Sequence, residues 1–411
     1  MKMAENSASS NVLKDQWVLL VSPAGWALPS FKFGVESLGG KIERFLLTYS
    51  MGRPSWSDFR KSNALRNHQL REYVTRAKEK PCMAIFVSYD DSLEAQTVSF
   101  MRKLGIFTVC FHVDMATQWY RILRTGPYFD LVGCAQKINM NALKKYSINA
   151  VFLPMAASYP PDFFKQFSQE TSYEKVITYV GTHSSYRLWV IDELKRFFPI
   201  RCYGGWFKDE LDRIEKSSKF VPDPALIEKK RGFLGTLSKT LFDGRYIAPI
   251  FRNSFYVFDH ILKNRFPHLK KRDFPLISPE SLRPYWKGCL NDNQFFTTFA
   301  TSLLNLGFTY FCGKPGTAGE IRQCRLREFE GPLYSVNGPY LMQNFPELDE
   351  LYKRDQEVIV WNDKEDLKDK VRSLFKDEKL CRQIAIKGRE AVLKRHLWSH
   401  RILEMLSYKK C

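Results

Sequence analysis

The sequence has no apolar run long enough to cross a bilayer, and its first residues, MKMAENSASSNVLKDQ, lack the apolar core of a signal peptide. A cytoplasmic protein with a short disordered lead over 1–14 is expected. Peripheral attachment at the inner face of a membrane stays open as a second option. The nine cysteines, among them Cys82, Cys110, Cys134, Cys202 and Cys381, include no close-spaced pair. Neither a zinc site nor a disulfide framework is therefore indicated, and those inside apolar runs read as buried, reduced thiols. Gly313-Lys314-Pro315-Gly316 lacks the Gly-Lys-Ser/Thr ending of a phosphate loop. Acidic residues are in short supply, 44 against 63 basic ones, for a net charge of +19. Such a chain is expected to meet anionic partners: nucleotides, an acidic polymer, a membrane surface or nucleic acid.

What is present supports two domains. The chain has 411 residues, of which 44% are hydrophobic and 15% aromatic, enough for two cores. Short apolar runs recur at Trp17–Val21, Ile42–Thr48, Cys82–Tyr89, Phe107–Val113, Leu131–Cys134 and Val151–Leu153, with helix-compatible segments between most of them. That alternation predicts an α/β domain built on a parallel sheet with helices on both faces. Ligands of such sheets bind beyond the C-terminal strand ends, which draws attention to Ser22–Trp26, Tyr89–Ser92 and His112–Met115. Asp90, Asp91 and Asp114 in these loops each read either as a general base or as a helix N-cap. Asp114, beside His112, is preferred for chemistry because no capping box follows it, whereas Asp91-Ser92-Leu93-Glu94 reads as a cap.

Two prolines in LPMAASYPPD mark a boundary near residue 160. A second alternation follows. Val176–Val180 is a strand, Gly181-Thr182-His183-Ser184-Ser185-Tyr186 a small-residue loop, and Arg187–Phe198 a helix. This arrangement leaves backbone N–H groups at a helix N-terminus, where phosphate binds, with His183 and Arg187 adding a donor and a charge. Between 212 and 274 basic residues outnumber acidic ones and are interleaved with aromatics. This suits an anionic membrane surface or an acidic glycan, or a helical insertion whose aromatics pack on the host domain. Nucleic acid is less favoured, because no recognised motif accompanies the charge.

The run GEIRQCRLREFEGPLYSVNGPY, Gly319 to Tyr340, crowds Glu320, Arg322, Arg325, Arg327, Glu328 and Glu330 onto what reads as one short helix. Arg327 and Glu330 lie three apart, so a cation and a carboxylate share a face. Such a pair suits a nucleotide diphosphate-sugar, whose phosphates need positive charge and whose ribose needs an acceptor. Intrahelical salt bridges on a solvated helix are the alternative.

The order of LREFEGP, ELDELY, EVIVW and EDLKDKVRSLFKDEKLCRQIAIKGREAVLKRHLWSHRILEML resembles the C-terminal half of GT-B glycosyltransferases of the CgeB-like, or glycosyl transferases group 1, kind. GIFTVCFHVD, YFDLVGCAQK and INAVFLPMAAS are similar to the N-terminal half of that family, and VITYVGTHSSYR to the opening of its donor domain. The resemblance implies two Rossmann-like, doubly wound domains facing a central cleft. An acceptor domain is expected over 15–160 and a donor domain over 161–385, the latter carrying a basic helical insertion. A C-terminal helix over 386–411 is expected to pack back on the first domain. It also implies Glu330 at the donor ribose, Arg327 near the diphosphate, and Gly181 and Arg187 at the phosphate loop. Glu328 competes with Glu330, because Glu320 and Glu328 have the spacing of paired glutamates in many retaining members.

The expected activity is transfer of a sugar from a nucleotide-sugar donor to a glycan, lipid-linked or other surface-polymer acceptor. No metal and no cofactor beyond that co-substrate is required, and Asp114 and His112 stand on the acceptor side. A nucleotide-sugar 2-epimerase of the same architecture, or a non-catalytic binder of acidic polymer or nucleic acid, are the alternatives.

Overall fold

A computed structural model describes residues 11–22, 25–47, 56–87, 93–160, 162–167, 171–182, 184–204, 275, 277 and 279–409. The 212–274 segment, Asp90, Asp91 and His183 lie outside them. The chain divides into two units. The first takes the described residues of Met1–Ser158 and of His396–Cys411, and the second those of Tyr159–Gly232 and of Pro267–Arg395. Among the described residues no helix is long and apolar enough to cross a membrane.

The first unit alternates β1 (Trp17–Val21), α1 (Ala27–Glu36), β2 (Lys41–Phe45), α2 (Trp56–Arg76), β3 (Met83–Val87), α3 (Ala95–Lys103), β4 (Phe107–His112), α4 (Met115–Gln118), β5 (Leu131–Cys134), α5 (Met140–Lys144) and β6 (Ala150–Phe152). Its six strands pair in the order β2-β1-β3-β4-β5-β6, and every pairing is parallel. The continuous apolar runs foreseen for β3 and β4 are buried along their whole length, as strands covered on both faces must be. Strand order reverses between β1 and β3, the kind of position at which open α/β sheets bind ligands.

In the second unit α6 (Phe163–Gln166), β7 (Glu174–Val180), α7 (Ser185–Leu194), β8 (Ile200–Tyr203), α8 (Asp292–Ala300) and β9 (Ser302–Leu306) lead to a two-stranded hairpin, β10 (Tyr310–Cys312) and β11 (Ile321–Arg322). The chain continues through α9 (Arg327–Tyr334), β12 (Tyr340–Gln343), α10 (Leu348–Leu351), β13 (Ile359–Trp361), α11 (Lys364–Leu374) and α12 (Glu378–Arg395). Here the parallel sheet runs β13-β12-β9-β7-β8. The units are thus two Rossmann-like α/β domains.

The sequence pattern reads as one helix from Glu378 to Leu406, and the structure breaks it. Leu397 is extended, with φ −88° and ψ 155°, because the chain there pairs with Ala157. The Ala157 N–H donates to the His396 carbonyl at 2.8 Å, and the Trp398 N–H to the Ala157 carbonyl at 3.1 Å. The chain therefore rejoins the first unit at His396 and not at 386, and α13 (Trp398–Ser407) packs on α1. Gly34 makes this contact possible, since a Cβ there would stand 2.9 Å from the Trp398 backbone. The fully buried Trp398 ring lies 4.5 Å from Phe31 and 5.5 Å from Phe111 between ring centroids. Arg401 closes the joint, its Nε donating to the Pro154 carbonyl at 2.8 Å and its Nη2 lying 3.0 Å from His396 Nδ1.

Trp398→Ala deletes a large ring from a closed aromatic cluster. It is expected to lower stability by about 3–5 kcal/mol, read as an earlier urea midpoint by circular dichroism. A loss under about 1 kcal/mol would show that α13 does not anchor the first unit.

Candidate functional site

In the second unit the polar groups of interest gather at the C-terminal ends of β7 and β9. Helix α7 opens with Ser184, whose Oγ accepts from the Arg187 N–H at 3.4 Å. The Arg187 side chain folds back over the β7 end. Its Nη1 donates to Tyr179 Oη at 3.0 Å, to the Thr182 carbonyl at 2.6 Å and to Thr182 Oγ1 at 3.0 Å. The guanidinium carbon lies 5.9 Å from the Phe308 ring centroid. Arg187 is only 7% exposed, and its Nε has no hydrogen-bond partner among the described residues. A buried donor left open in this way is costly. Glycines admit close neighbours at these strand ends. A Cβ on Gly204 would stand 2.3 Å from the Gly181 carbonyl oxygen, and one on Gly307 would stand 2.1 Å from Tyr340 Oη.

The charged run around residue 320 does not form one helix. Gly313 adopts a left-handed φ of 94° and turns the chain into the β10–β11 hairpin, so α9 begins only at Arg327. Glu320 sits at the hairpin, accepting from the Gly316 N–H at 2.8 Å and from Arg322 Nε at 2.7 Å. Helix α9 then continues through Gly331-Pro332. Pro332 has no N–H for the Glu328 carbonyl, and Tyr352 Oη donates to that carbonyl at 3.0 Å instead. Gly331 is required because a Cβ there would stand 2.2 Å from the Tyr340 ring.

Within α9 the two glutamates have different surroundings. Glu330 accepts from Arg327 Nη1 at 2.7 Å, and the Arg327 guanidinium lies 4.3 Å from the Phe295 ring centroid. The cation and carboxylate foreseen on one face are therefore paired with each other and seated on α8. Burial raises the Glu330 carboxyl, and Arg327 opposes the rise. Glu328 is 1% exposed and accepts from the Arg325 N–H at 2.8 Å. Burial pushes its carboxyl up to about 7, against the Arg325 hydrogen bond and the positive charges of Arg325 and Arg187. Tyr340 Oη, fully buried and without a hydrogen-bond partner among the described residues, feels Glu328, Arg327, Tyr179 and Arg187. Arg187, Glu328 and Tyr340 thus belong to one electrostatic cluster, whereas Glu320 serves the hairpin.

In the first unit His112 ends β4 and is 1% exposed, with neither ring nitrogen hydrogen-bonded to a described side chain. Burial and the nearby Arg121 push the imidazole down to about 4, the Gln118 backbone pulling the other way. It is a neutral ring at ordinary pH. Asp114 stands at the N-cap position of α4 but makes no side-chain cap bond, and its carboxylate accepts from Gln118 Nε2 at 3.4 Å. The loop is held from the neighbouring strand end, Gln136 Oε1 accepting from the Met115 N–H at 3.1 Å.

Three residues of the second-unit site were not singled out in the sequence. Tyr179 and Tyr340 lie in apolar strand runs and read as core. Gln343 ends β12, where its Oε1 accepts from the N–H groups of Thr309 and Tyr310 at 3.1 and 2.9 Å and its Nε2 donates to Tyr186 Oη at 2.8 Å. An amide closing an apolar strand at its ligand-facing end was the available signal. Among the described residues no group of three or more His, Cys, Asp or Glu is placed to hold a metal ion.

Residues 259–407 match the glycosyl transferase-like family. No curated protein matches the sequence. Among solved structures, sucrose-phosphate synthase from Thermosynechococcus elongatus is similar with a TM-score of 0.53 and 11% identity, covering 95% of this chain and 98% of that one. A glycosyltransferase from Rickettsia africae is similar with a TM-score of 0.51 and 11% identity, covering 96% and 98%. The chain has the GT-B fold of glycosyltransferases, two Rossmann-like domains in series.

The Glu328 carboxyl is raised in the folded state from 4.5 to about 7. Its contribution to stability is full below pH 4.5 and is lost as pH rises through 7, a span of about 3 kcal/mol. Glu328→Gln is expected to flatten that part of the stability profile between pH 5 and 8, measured by urea denaturation at each pH. Identical profiles for the two proteins would place the Glu328 carboxyl in water.

Proposed function

We propose that this chain, whose residues 259–407 match the glycosyl transferase-like family, moves a sugar from a nucleotide-sugar donor held by the second unit to an acceptor held by the first. The reading rests on Arg187, a buried guanidinium with an open Nε in the first turn of α7, bonded to Thr182 and Tyr179. Negative charge builds on the leaving diphosphate as the bond to the sugar breaks. A fixed guanidinium and a helix N-terminus in a dry site stabilise that charge without a metal ion.

Glu328 is the preferred ribose ligand. Burial holds its carboxyl near the point where it both accepts and donates a hydrogen bond, and it shares the Arg187 field. Glu330, already engaged by Arg327, remains the second candidate, and Arg327 serves to hold it. On the acceptor side Asp114 is the candidate base, its carboxylate accepting among the described residues a single long bond from Gln118. Neutral His112 lines the same strand end. The acceptor is a glycan, a lipid-linked sugar or another surface polymer, and the reaction runs in the cytoplasm.

Arg187→Ala is expected to lower kcat for donor cleavage by about 10²–10³-fold, and Arg187→Lys by less, since it keeps the charge and loses the fork. Chromatography of the nucleotide product with and without acceptor checks both. Free nucleotide diphosphate appearing only with an acceptor supports transfer. A rearranged nucleotide sugar formed without acceptor would instead show an epimerase. Wild-type turnover in a folded Arg187→Ala protein would remove Arg187 from the site.

A further inference from the structure

A recess lies at the β2 edge of the first unit, and Asp114 is not among its lining residues. A groove of about 880 Å³ opens between the edge strand β2 and helix α2. Three half-buried aromatic rings face it: Trp17 at the start of β1, Phe45 at the end of β2, and Tyr73 on α2. Each is held in place. Trp17 Nε1 donates to the Glu79 carbonyl at 3.0 Å, the Tyr73 hydroxyl donates to the Glu43 carboxylate, and the Phe45 and Tyr73 rings pack with centroids 5.6 Å apart. On α2, Arg66, Gln69, Tyr73 and Arg76 recur at helical spacing and so present one face to the groove.

Charge at the groove distinguishes it from the rest of the protein. The chain as a whole carries +19. The groove balances Arg66, Arg76 and Lys78 against Glu43, Glu72 and Glu79. Such a lining does not attract an anion, so a nucleotide, an acidic polymer or nucleic acid is disfavoured there. It offers aromatic faces together with planar carboxylate, guanidinium and amide groups.

We propose that this groove binds a neutral saccharide. A sugar ring has apolar C–H faces that lie against aromatic rings, and hydroxyls that donate and accept at once. Carboxylates take the donated bonds, guanidinium and amide N–H groups fill the oxygens, and a ligand without charge leaves the local balance undisturbed. The groove falls within the size range of small-molecule sites. An extended peptide adding to the edge of β2 would instead use backbone groups and make little use of the α2 face. The site lies in the first unit and shares no residue with the donor cluster of the second.

Isothermal titration of the full chain with linear neutral oligomers of glucose, galactose and N-acetylglucosamine tests it. At least one oligomer is expected to bind with an affinity unchanged between about 50 and about 500 mM salt. Arg66→Ala/Gln69→Ala should weaken that binding at least about tenfold, and Arg187→Ala should leave it unchanged. Loss of donor turnover in Arg187→Ala with oligomer binding intact would separate this site from the proposed activity. The inference is overturned if no oligomer binds at millimolar concentration, if the double variant binds like the wild type, if binding falls steeply with salt, or if a β-strand peptide displaces the sugar.

Discussion

The second unit is organised around a buried cation. Taking a guanidinium out of water is expensive, and the cost is offset only where hydrogen bonds and opposite charge surround it. Arg187 obtains part of that compensation from Tyr179 and Thr182 at the end of β7, and its Nε is left open. Glu328 supplies a carboxyl in the same field, itself raised by burial to about 7. Each is held by polar neighbours, Arg187 by Tyr179 and Thr182 and Glu328 by the Arg325 N–H. The open Arg187 Nε is the group on which the proposed chemistry rests.

Several otherwise unrelated features follow from keeping this cluster compact. Gly204 lets the ends of β7 and β8 close, and Gly307 and Gly331 admit the Tyr340 ring and hydroxyl. Pro332 removes a helix bond that Tyr352 replaces, so α9 survives a residue that ordinarily breaks a helix. The β10–β11 hairpin, fastened by Glu320 and Arg322, uses up two of the charges crowded around α9. Only part of that charged run is then available to a ligand.

In the first unit the described polar groups at the end of β4 are a buried histidine and an aspartate. His112 is held unprotonated by burial, and Asp114 keeps a carboxylate that no cap bond consumes. The return of the chain through Ala157 and α13 gives this unit a wall of aromatic packing contributed by residues from the far end of the sequence. The groove beside β2 adds a surface whose balanced charge contrasts with the strongly basic chain.

The alternation of apolar runs with amphipathic segments was enough to predict both parallel sheets. Trp17–Val21 and Leu131–Cys134 emerged with the bounds expected, because a strand buried on both faces leaves a continuous apolar signature. The strand and helix on either side of Gly181 were also legible, since a strand, a small-residue loop and a helix form a local pattern. The roles of Glu320, Glu328 and Glu330 were not. One hairpin, one intrahelical pair and one buried carboxyl are separated by contacts with Gly316, Arg327 and the Arg187 cluster, and composition alone weights the three alike. The break at Leu397 likewise came from pairing with Ala157, more than two hundred residues earlier in the sequence. Local pattern determined which segments are strands and helices, because periodicity is a property of neighbours in the chain. Which carboxylate is buried, which cation is left open and where the last helix docks were decided by the tertiary structure, because burial and pairing depend on residues distant in sequence.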